Sequence, residues 1–334
     1  MSIGTEAQHA TPVQPPTVGA PPTASPARRL LQFVWRLVRA VLDQTAGRAF
    51  VQASTSRSRF VRTVVFDAAQ RSSQLELLLY TSGREQYVLN SRDDMICRSV
   101  FVYGEFDLAK LEQVMALLRA RLGVERLDTI IDVGANIGTI CIPAVARGHA
   151  TRAVAVEPHP VNCRILRTNV ALNGLHERIT VFECACGPDS DGTLVEILRP
   201  SDNWGDVRVA TESQARGTPS AARHTVRSRR VDDLISAGSC GVTVLWVDTQ
   251  GFEPSVLQGA AGFLDRRVPV VVEFDPAMLG ARSAGVAALA EAFSGYALFI
   301  DLEQPDRERA ITDIPRLAEE MSRANRIFTD LLVL

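Results

Sequence analysis

The stretch Thr129-Ile-Ile-Asp132-Val-Gly134-Ala-Asn136-Ile-Gly138-Thr-Ile140 decides the fold, because an apolar run ends on an acid and then opens into two spaced glycines. A buried parallel strand that turns through glycines into a helix is how α/β proteins hold a nucleotide-like ligand. The turn lets the ligand approach the backbone, and the helix start presents unpaired N–H groups. A second strand of the same design follows, Arg152-Ala-Val-Ala-Val-Glu157-Pro-His-Pro. Its acid, about twenty residues on, stands where such folds bind the two hydroxyls of a ribose.

The glycine spacing selects among cofactors. A dinucleotide site wants G-x-G-x-x-G so that the backbone can approach a pyrophosphate, and Asn136 occupies the place of the middle glycine. A P-loop needs Gly-Lys-Ser/Thr, and the only lysine in the chain is Lys110. What remains is a loop introduced by Asp132, an acid that repels phosphate and suits a cationic ligand. S-adenosylmethionine, with its sulfonium and α-ammonium, fits that description. The bland alternative is an ordinary strand, turn and helix whose glycines serve packing.

With 334 residues and 46% hydrophobic side chains, the chain can bury a sizeable core in one main domain with appendages. A formal net charge of −2 argues against a nucleic-acid partner held by bulk electrostatics. Cys97, Cys141, Cys163, Cys184, Cys186 and Cys240 show no C-x-x-C spacing, so reduced thiols in a cytoplasmic protein are expected. Cys184-Ala-Cys186 puts two thiols on one face of a strand without further ligands, and no metal is expected there.

Residues 1–27 are rich in Pro, Ala and Thr and are read as a disordered tail. From Arg28 to Asp43, polar residues recur every three or four positions between Leu30, Phe33, Leu37 and Val41. That periodicity predicts an amphipathic helix with a basic face, too short and too charged to span a bilayer; packing on the main domain or on a partner is the expected role, and lying on a membrane surface the alternative. Residues 28–122 are read as this helix plus a cap region, with a strand at Leu75–Tyr80, a turn at Ser82-Gly83 and a helix over Leu108–Leu122. The catalytic domain is read over 123–334.

Beyond Leu127 strands and helices alternate, which predicts a doubly wound, mostly parallel seven-stranded sheet. Strands are expected at Thr129–Val133, Ala153–Glu157, Ile179–Glu183, Thr243–Asp248, Val268–Phe274, Ala297–Leu302 and Arg326–Leu334. Cys186 to Arg230 is a long polar insertion with one further strand-like run, Thr193–Leu198, and the segment Asn203-Trp-Gly-Asp206. Such an insertion beside the carboxyl ends of strands is a place to recognise a substrate.

Val244-Leu-Trp-Val-Asp248-Thr-Gln250-Gly-Phe-Glu253 repeats the pattern of an apolar strand ending on an acid. In an open α/β sheet, ligands bind outside the carboxyl ends of the strands, so Asp132, Glu157, Asp248 and Glu273 are expected around one crevice. Helix N-capping is the alternative for Asp248 and Glu253. Candidate bases are Asp248, then Glu253 and Glu273, with His224 and His159 behind them. The cluster Arg223, Arg227, Arg229 and Arg230 suits either an anionic acceptor or a solvated strand face.

The segments Asp132-Val-Gly-Ala-Asn-Ile-Gly138, Glu157-Pro-His-Pro with Asn162, Asn169 and Asn173, Val247-Asp-Thr-Gln-Gly-Phe-Glu253 and Val256-Leu-Gln-Gly-Ala260 resemble the FkbM family of S-adenosylmethionine-dependent methyltransferases. The resemblance runs from about Asp93, through Tyr103-Gly-Glu-Phe106, to Phe328-Thr-Asp-Leu-Leu. It implies a class I methyltransferase (Rossmann-like) fold, no obligatory metal, and methylation of a hydroxyl on a sugar, polysaccharide precursor or polyketide-like metabolite. Two positions depart from the pattern: Trp246 stands where members often carry lysine, and Gln250 where they often carry glutamate. The expected cofactor contacts are Asp132, Gly134, Asn136, Gly138, Glu157, Cys184, Ala185 and Asp248. The acceptor is expected to be a small molecule or glycan. A non-catalytic S-adenosylmethionine-binding module and a nicotinamide-dependent oxidoreductase are the competing readings.

Overall fold

Runs of Val, Ile and Leu five to seven residues long are covered on both faces, as parallel strands between helices must be. The computed structural model describes residues 58–72, 74–81, 84–189, 194–198, 207–210, 223–236, 241–282 and 285–334. The tail over 1–27, the amphipathic helix expected over 28–43, the Ser82-Gly83 turn, Asn203–Asp206 and Cys240 lie outside the described residues.

The described chain begins with α1 (Arg59–Arg71), a hairpin of β1 (Leu77–Thr81) and β2 (Gln86–Asn90), then α2 (Ile96–Tyr103) and α3 (Leu108–Leu122). Alternation sets in with β3 (Leu127–Val133), α4 (Cys141–Ala146), β4 (Ala150–Val156), α5 (Pro160–Leu172) and β5 (Ile179–Phe182). The insertion carries β6 (Ala185–Cys186), β7 (Leu194–Leu198), β8 (Arg208–Val209) and β9 (Arg223–Arg229), and is followed by α6 (Val231–Leu234). Next come β10 (Thr243–Val247), α7 (Glu253–Gln258), α8 (Ala261–Asp265), β11 (Val270–Phe274), α9 (Pro276–Arg282) and α10 (Gly285–Ala292). The last elements are β12 (Leu298–Asp301), β13 (Glu308–Ala310), α11 (Ile314–Arg323) and β14 (Thr329–Val333).

The central sheet has the order β13-β12-β14-β11-β10-β3-β4-β5. Strands β11, β10, β3, β4 and β5 are parallel, while β14 runs antiparallel to both β11 and β12. The sheet therefore has eight strands rather than the expected seven. Glu308–Ala310 adds an edge strand that is too short to show an alternating pattern. The insertion is also more regular than expected, because β6, β9, β7 and β8 form a second sheet.

The core lies on the parallel strands. Ile131, Leu245, Val247, Val270, Val272 and Leu331 are fully buried against Phe263, Phe274, Phe293 and Phe299. Each such aliphatic side chain contributes about 1.5–3 kcal/mol on leaving water. The sequence places β3 and β10 at the centre because neither offers a polar face that could meet solvent.

The β1–β2 hairpin is fastened to the helical layer by two asparagines one helical turn apart. Asn169 Oδ1 accepts the Val88 N–H at 2.6 Å, and Asn173 Oδ1 accepts the Gln86 N–H at 2.9 Å. Their amide groups donate back to the Val88 and Gln86 carbonyls. Spaced four apart, the two side chains imitate a neighbouring strand and satisfy the free edge of β2. Asp93 does comparable work below, accepting the N–H groups of Met95, Ile96 and Cys97 at the start of α2.

Candidate active site

Parallel strands in register end together, so the acids that close β3, β4, β10 and β11 arrive on one edge of the sheet. Gly134, one residue past β3, has φ +95° and lies directly under the Asp248 backbone. A Cβ at Gly134 would fall 1.8 Å from the Asp248 carbonyl oxygen. The glycine therefore serves the crossing of two strand ends first, and a ligand's approach only second.

Over this edge opens a cleft with about 520 Å³ of empty space, partly open to solvent, with Gly134, Asn136, Glu157, Cys184, Ala185 and Asp248 in its lining and Val133, Val156 and Phe252 as apolar walls. Six of the eight expected cofactor contacts thus meet in one place. Asp132 and Gly138 do not line it. Asp132 turns toward α4, where its Oδ2 accepts the Cys141 N–H at 3.1 Å, and Gly138 packs under Ile142 and Leu166. Burial raises the Asp132 carboxyl to about 7, against the pull of its bonds to Cys141.

Glu157 is buried, with Oε2 accepting the Asn136 N–H at 2.9 Å and Oε1 the His159 N–H at 2.8 Å. Asn136 takes up a left-handed backbone (φ +50°) that aims this N–H at the acid. Burial pushes Glu157 up to about 7 in spite of both bonds.

The loop after β10 turns through two successive left-handed residues, Gln250 (φ +56°) and Gly251 (φ +94°). Glu253 holds it in that shape: one oxygen, Oε1, accepts the Thr249 N–H at 2.9 Å, the Thr249 hydroxyl at 3.1 Å and the Gly251 N–H at 3.1 Å. Glu253 is buried and raised to about 7, chiefly by that burial. Gln250, one of the two departures from the family pattern, donates from Nε2 to Asp248 Oδ1 and to Glu273 Oε2, each at 2.9 Å. Glu273 holds its proton well above the usual carboxylate range, through burial first and the neighbouring Asp248 charge second. Asp248 therefore faces the cleft, Glu273 stands behind it, and Glu253 faces its own loop. Asp248 does not cap α7, whose first residue follows Phe252 without a side-chain cap.

The other candidates fall elsewhere. His159 and His224 meet edge to face with ring centroids 4.9 Å apart, which ties the inserted sheet to the start of α5. In the arginine cluster, Arg230 pairs with Asp232 at 2.9 Å and Arg229 donates to the Asp233 carbonyl. Cys97, Cys141, Cys163, Cys184 and Cys186 are buried free thiols. Among the described residues no cluster of His, Cys, Asp and Glu side chains could hold a metal ion, and no helix is long and apolar enough to cross a membrane.

A second cleft, with about 620 Å³ of empty space partly open to solvent, lies on the same edge over β12 and β14, with Asp107, Lys110, Leu302, Glu303, Phe328 and Asp330 in its lining. Lys110 Nζ lies 2.6 Å from Asp330 Oδ2 and 3.2 Å from Asp107 Oδ1. None of these residues was a sequence candidate. Lys110 left a signal as the single lysine among 36 basic side chains, and Phe328 and Asp330 fall in the stretch that carries the family resemblance.

The first cleft fits a cofactor with cationic groups and an adenosyl half. It offers the carboxylates Glu157 and Asp248 with apolar walls, and among the described residues its only basic lining residue is Arg208, a donor set unsuited to a pyrophosphate.

Comparisons with known proteins agree in kind. The sequence profile of the "Methyltransferase FkbM domain" matches residues 132–303, just over half of the chain. A tRNA (guanine(37)-N(1))-methyltransferase of Danio rerio is 30% identical over 129 residues, covering 36% of this chain and 23% of that protein. A solved structure of methyltransferase FkbM from Methylobacillus flagellatus KT aligns at 16% identity with a TM-score of 0.36, covering 89% of this chain and 60% of its own. An RNA methyltransferase from Salinibacter ruber, solved with S-adenosyl-L-homocysteine, aligns at 16% identity with a TM-score of 0.26, covering 50% of this chain and 74% of its own. The chain thus spans less than a quarter of the curated relative and somewhat under two thirds of the FkbM structure. With the family profile lying across the residues that build the first cleft, the chain belongs to the FkbM family of S-adenosylmethionine-dependent methyltransferases.

Proposed function

We propose that this protein transfers a methyl group to a hydroxyl of a sugar, polysaccharide precursor or polyketide-like metabolite. The observation that carries the reading is the pairing of two clefts on one strand edge with Asp248 lining the first and the Lys110 cluster lining the second. Glu157, Gly134, Asn136, Cys184 and Ala185 would hold the cofactor, which supplies an electrophilic methyl on its sulfonium. Asp248 accepts the hydroxyl proton of the acceptor, a contribution of roughly 10²–10⁴-fold where geometry is good. Gln250 orients that carboxylate, and Glu253 keeps the loop in its left-handed turn. Holding both reactants near attack distance lowers the barrier further by removing entropy.

The second cleft supports a neutral, hydroxyl-rich acceptor. Asp107, Glu303 and Asp330 outnumber Lys110 there, so a polyphosphate chain meets repulsion, while carboxylates accept hydroxyl protons and the half-exposed Phe328 offers an apolar face. In this reading 123–334 is the catalytic domain, 28–122 its cap and 1–27 a tail. The test supplies radiolabelled S-adenosylmethionine with two acceptor pools, a neutral glycan and small-metabolite fraction and total tRNA. Label is expected as alkali-stable ether in the neutral fraction. Nuclease-sensitive label in tRNA would overturn the acceptor reading in favour of the chemistry of the Danio rerio relative. Calorimetry with S-adenosylhomocysteine checks the donor separately.

A further inference from the structure

Lys110 is the only lysine in the chain, and it stands three residues past Asp107, which precedes α3, adopts a left-handed backbone (φ +59°) and leaves its carboxylate free of the helix start. Its ammonium is fixed between Asp330 Oδ2 and Asp107 Oδ1. Asp330 lies directly across from Glu273 in the β11–β14 register, so both side chains leave the sheet on the same face. Glu273 in turn shares the Gln250 amide with Asp248. A continuous row, Lys110, Asp330, Glu273, Gln250 and Asp248, therefore links the second cleft to the first.

The charged groups around the ammonium come from every element packed there. Asp107 before α3 and Asp330 in β14 meet it directly, Asp248 after β10 acts on it, and Glu303 after β12 lines the same cleft, while Glu105, Glu253, Glu273 and Asp132 face those acids in turn. Among the described residues named here, all are acids. Burial works against the ammonium, yet the Asp330 and Asp107 carboxylates outweigh it and hold its proton above the ordinary lysine range. Lys110 is thus a fixed positive charge rather than a base. A compact ammonium with three donors can serve two carboxylates on different elements, which a planar guanidinium does less well.

Resting on the methyl-transfer reading above, we propose that Lys110 is a positioning residue: its ammonium holds the strand-end acids in the charge state in which Asp248, not a neighbour, takes the acceptor's proton. A nearby positive charge lowers a carboxylate's pKa, and its removal raises it, so the effect has a sign.

The single lysine makes the test direct. Full-length protein labelled with 13Cε-lysine gives one lysine Cε resonance. That signal is expected to keep its protonated position through about pH 11, beyond the ordinary lysine value of about 10.4, and to show a smaller inflection between pH 5 and 8 as the facing acids ionise. In Asp330→Asn the ammonium is expected to titrate at lower pH than in the parent protein. Turnover on the neutral glycan fraction is then followed against pH. Lys110→Met should move the acid limb of kcat/KM upward by about one pH unit and lower kcat more than it raises KM, and Lys110→Arg should return most of the limb. An unmoved limb in folded Lys110→Met, or a lysine resonance that titrates near its ordinary value with no acid-side inflection, would overturn the proposal. If no pool is methylated, the acceptor reading fails, while the lysine titration still decides the charge assignment. If Lys110→Met does not fold, the parent and Asp330→Asn spectra carry the decision.

Discussion

Glu157 and Glu253 give their carboxylate oxygens largely to backbone N–H groups, whereas Asp248, Glu273 and Asp330, on the same strand edge, meet side chains. The difference separates scaffold from chemistry. A carboxylate held by backbone N–H groups is locked to one loop conformation, and only its remaining lone pairs are left for a bound ligand. A carboxylate held by an amide or an ammonium can exchange partners and protons, because its neighbours are themselves movable. The first group shapes the cofactor cleft, and the second connects that cleft to the acceptor side.

The two groups touch at Gly134, and the largest expected effect lies there. Gly134→Ala adds a methyl 1.8 Å from the Asp248 carbonyl, in a backbone conformation with φ +95°. Left-handed strain costs about 1–2 kcal/mol and overpacking against backbone about 1–3 more, so urea unfolding should show a loss of about 3 kcal/mol or greater. S-adenosylhomocysteine binding should vanish with it. A stable Gly134→Ala protein that still binds would mean the two strand ends can separate freely, and the contrast between locked and movable acids would lose its basis.

Asp248→Asn probes the movable group. Asparagine keeps the size and the contact with Gln250 but cannot take a proton. Turnover is expected to fall roughly 10²-fold or more, about 2.7 kcal/mol of transition-state stabilisation, with melting temperature and S-adenosylhomocysteine affinity nearly unchanged. Near-normal methyl transfer by a folded Asp248→Asn protein would move the base to Glu273.

Much of this architecture was legible in the sequence, and the part that was not has a physical reason. Thr129–Asp132, Ala153–Glu157, Val244–Asp248 and Val270–Glu273 all read as apolar strand followed by acid, which places them on one edge through periodicity alone. What each oxygen meets after that depends on loop backbone or on residues from distant elements. Glu253 closing on Thr249 and Gly251 is local. Lys110 and Asp330 come from elements far apart in sequence and are joined because β14 runs antiparallel to β11, a reversal that no strand pattern announces. Asn169 and Asn173 show the same limit. Their spacing marks one helix face, but the edge they satisfy belongs to β2, and Gln86–Asn90 carries no sign of its partner.

Glu157→Gln sharpens the contrast by a smaller amount. The two oxygens of Glu157 each accept a different backbone N–H, from Asn136 and from His159. An amide can satisfy one of these and turns its own N–H₂ toward the other, so a buried donor loses its partner. Stability is expected to fall by about 1–3 kcal/mol, read by urea unfolding, and the same defect should weaken S-adenosylhomocysteine in calorimetry. An unchanged unfolding midpoint would place Glu157 among the movable acids.

The smallest effect is expected at Glu253, and it is the sharpest test because the same substitution should do almost nothing. All three donors converge on one oxygen, Oε1, which glutamine retains, so Glu253→Gln keeps the loop hydrogen bonds. Burial, the main cause, raises the Glu253 carboxyl from 4.5 to about 7, against the bonds it accepts. An acid raised on folding binds its proton more tightly in the folded state than in the unfolded one. Its contribution to stability is therefore fullest below the unfolded value and is lost as pH rises from 4.5 toward 7. Glutamine carries no such loss. Thermal unfolding at pH 5 and pH 8 should find the variant close to the parent at the lower pH and more stable at the higher one, with turnover within about threefold at both, since a positioning group whose bonds survive gives up little. The pH dependence that Asp132 and Glu157 add is common to both proteins and cancels in the difference. A folded Glu253→Gln protein that has lost roughly 10²-fold in turnover would instead identify Glu253 as the group that takes the proton, and the distinction between backbone-held and side-chain-held acids on this edge would fail at the residue that illustrates it best.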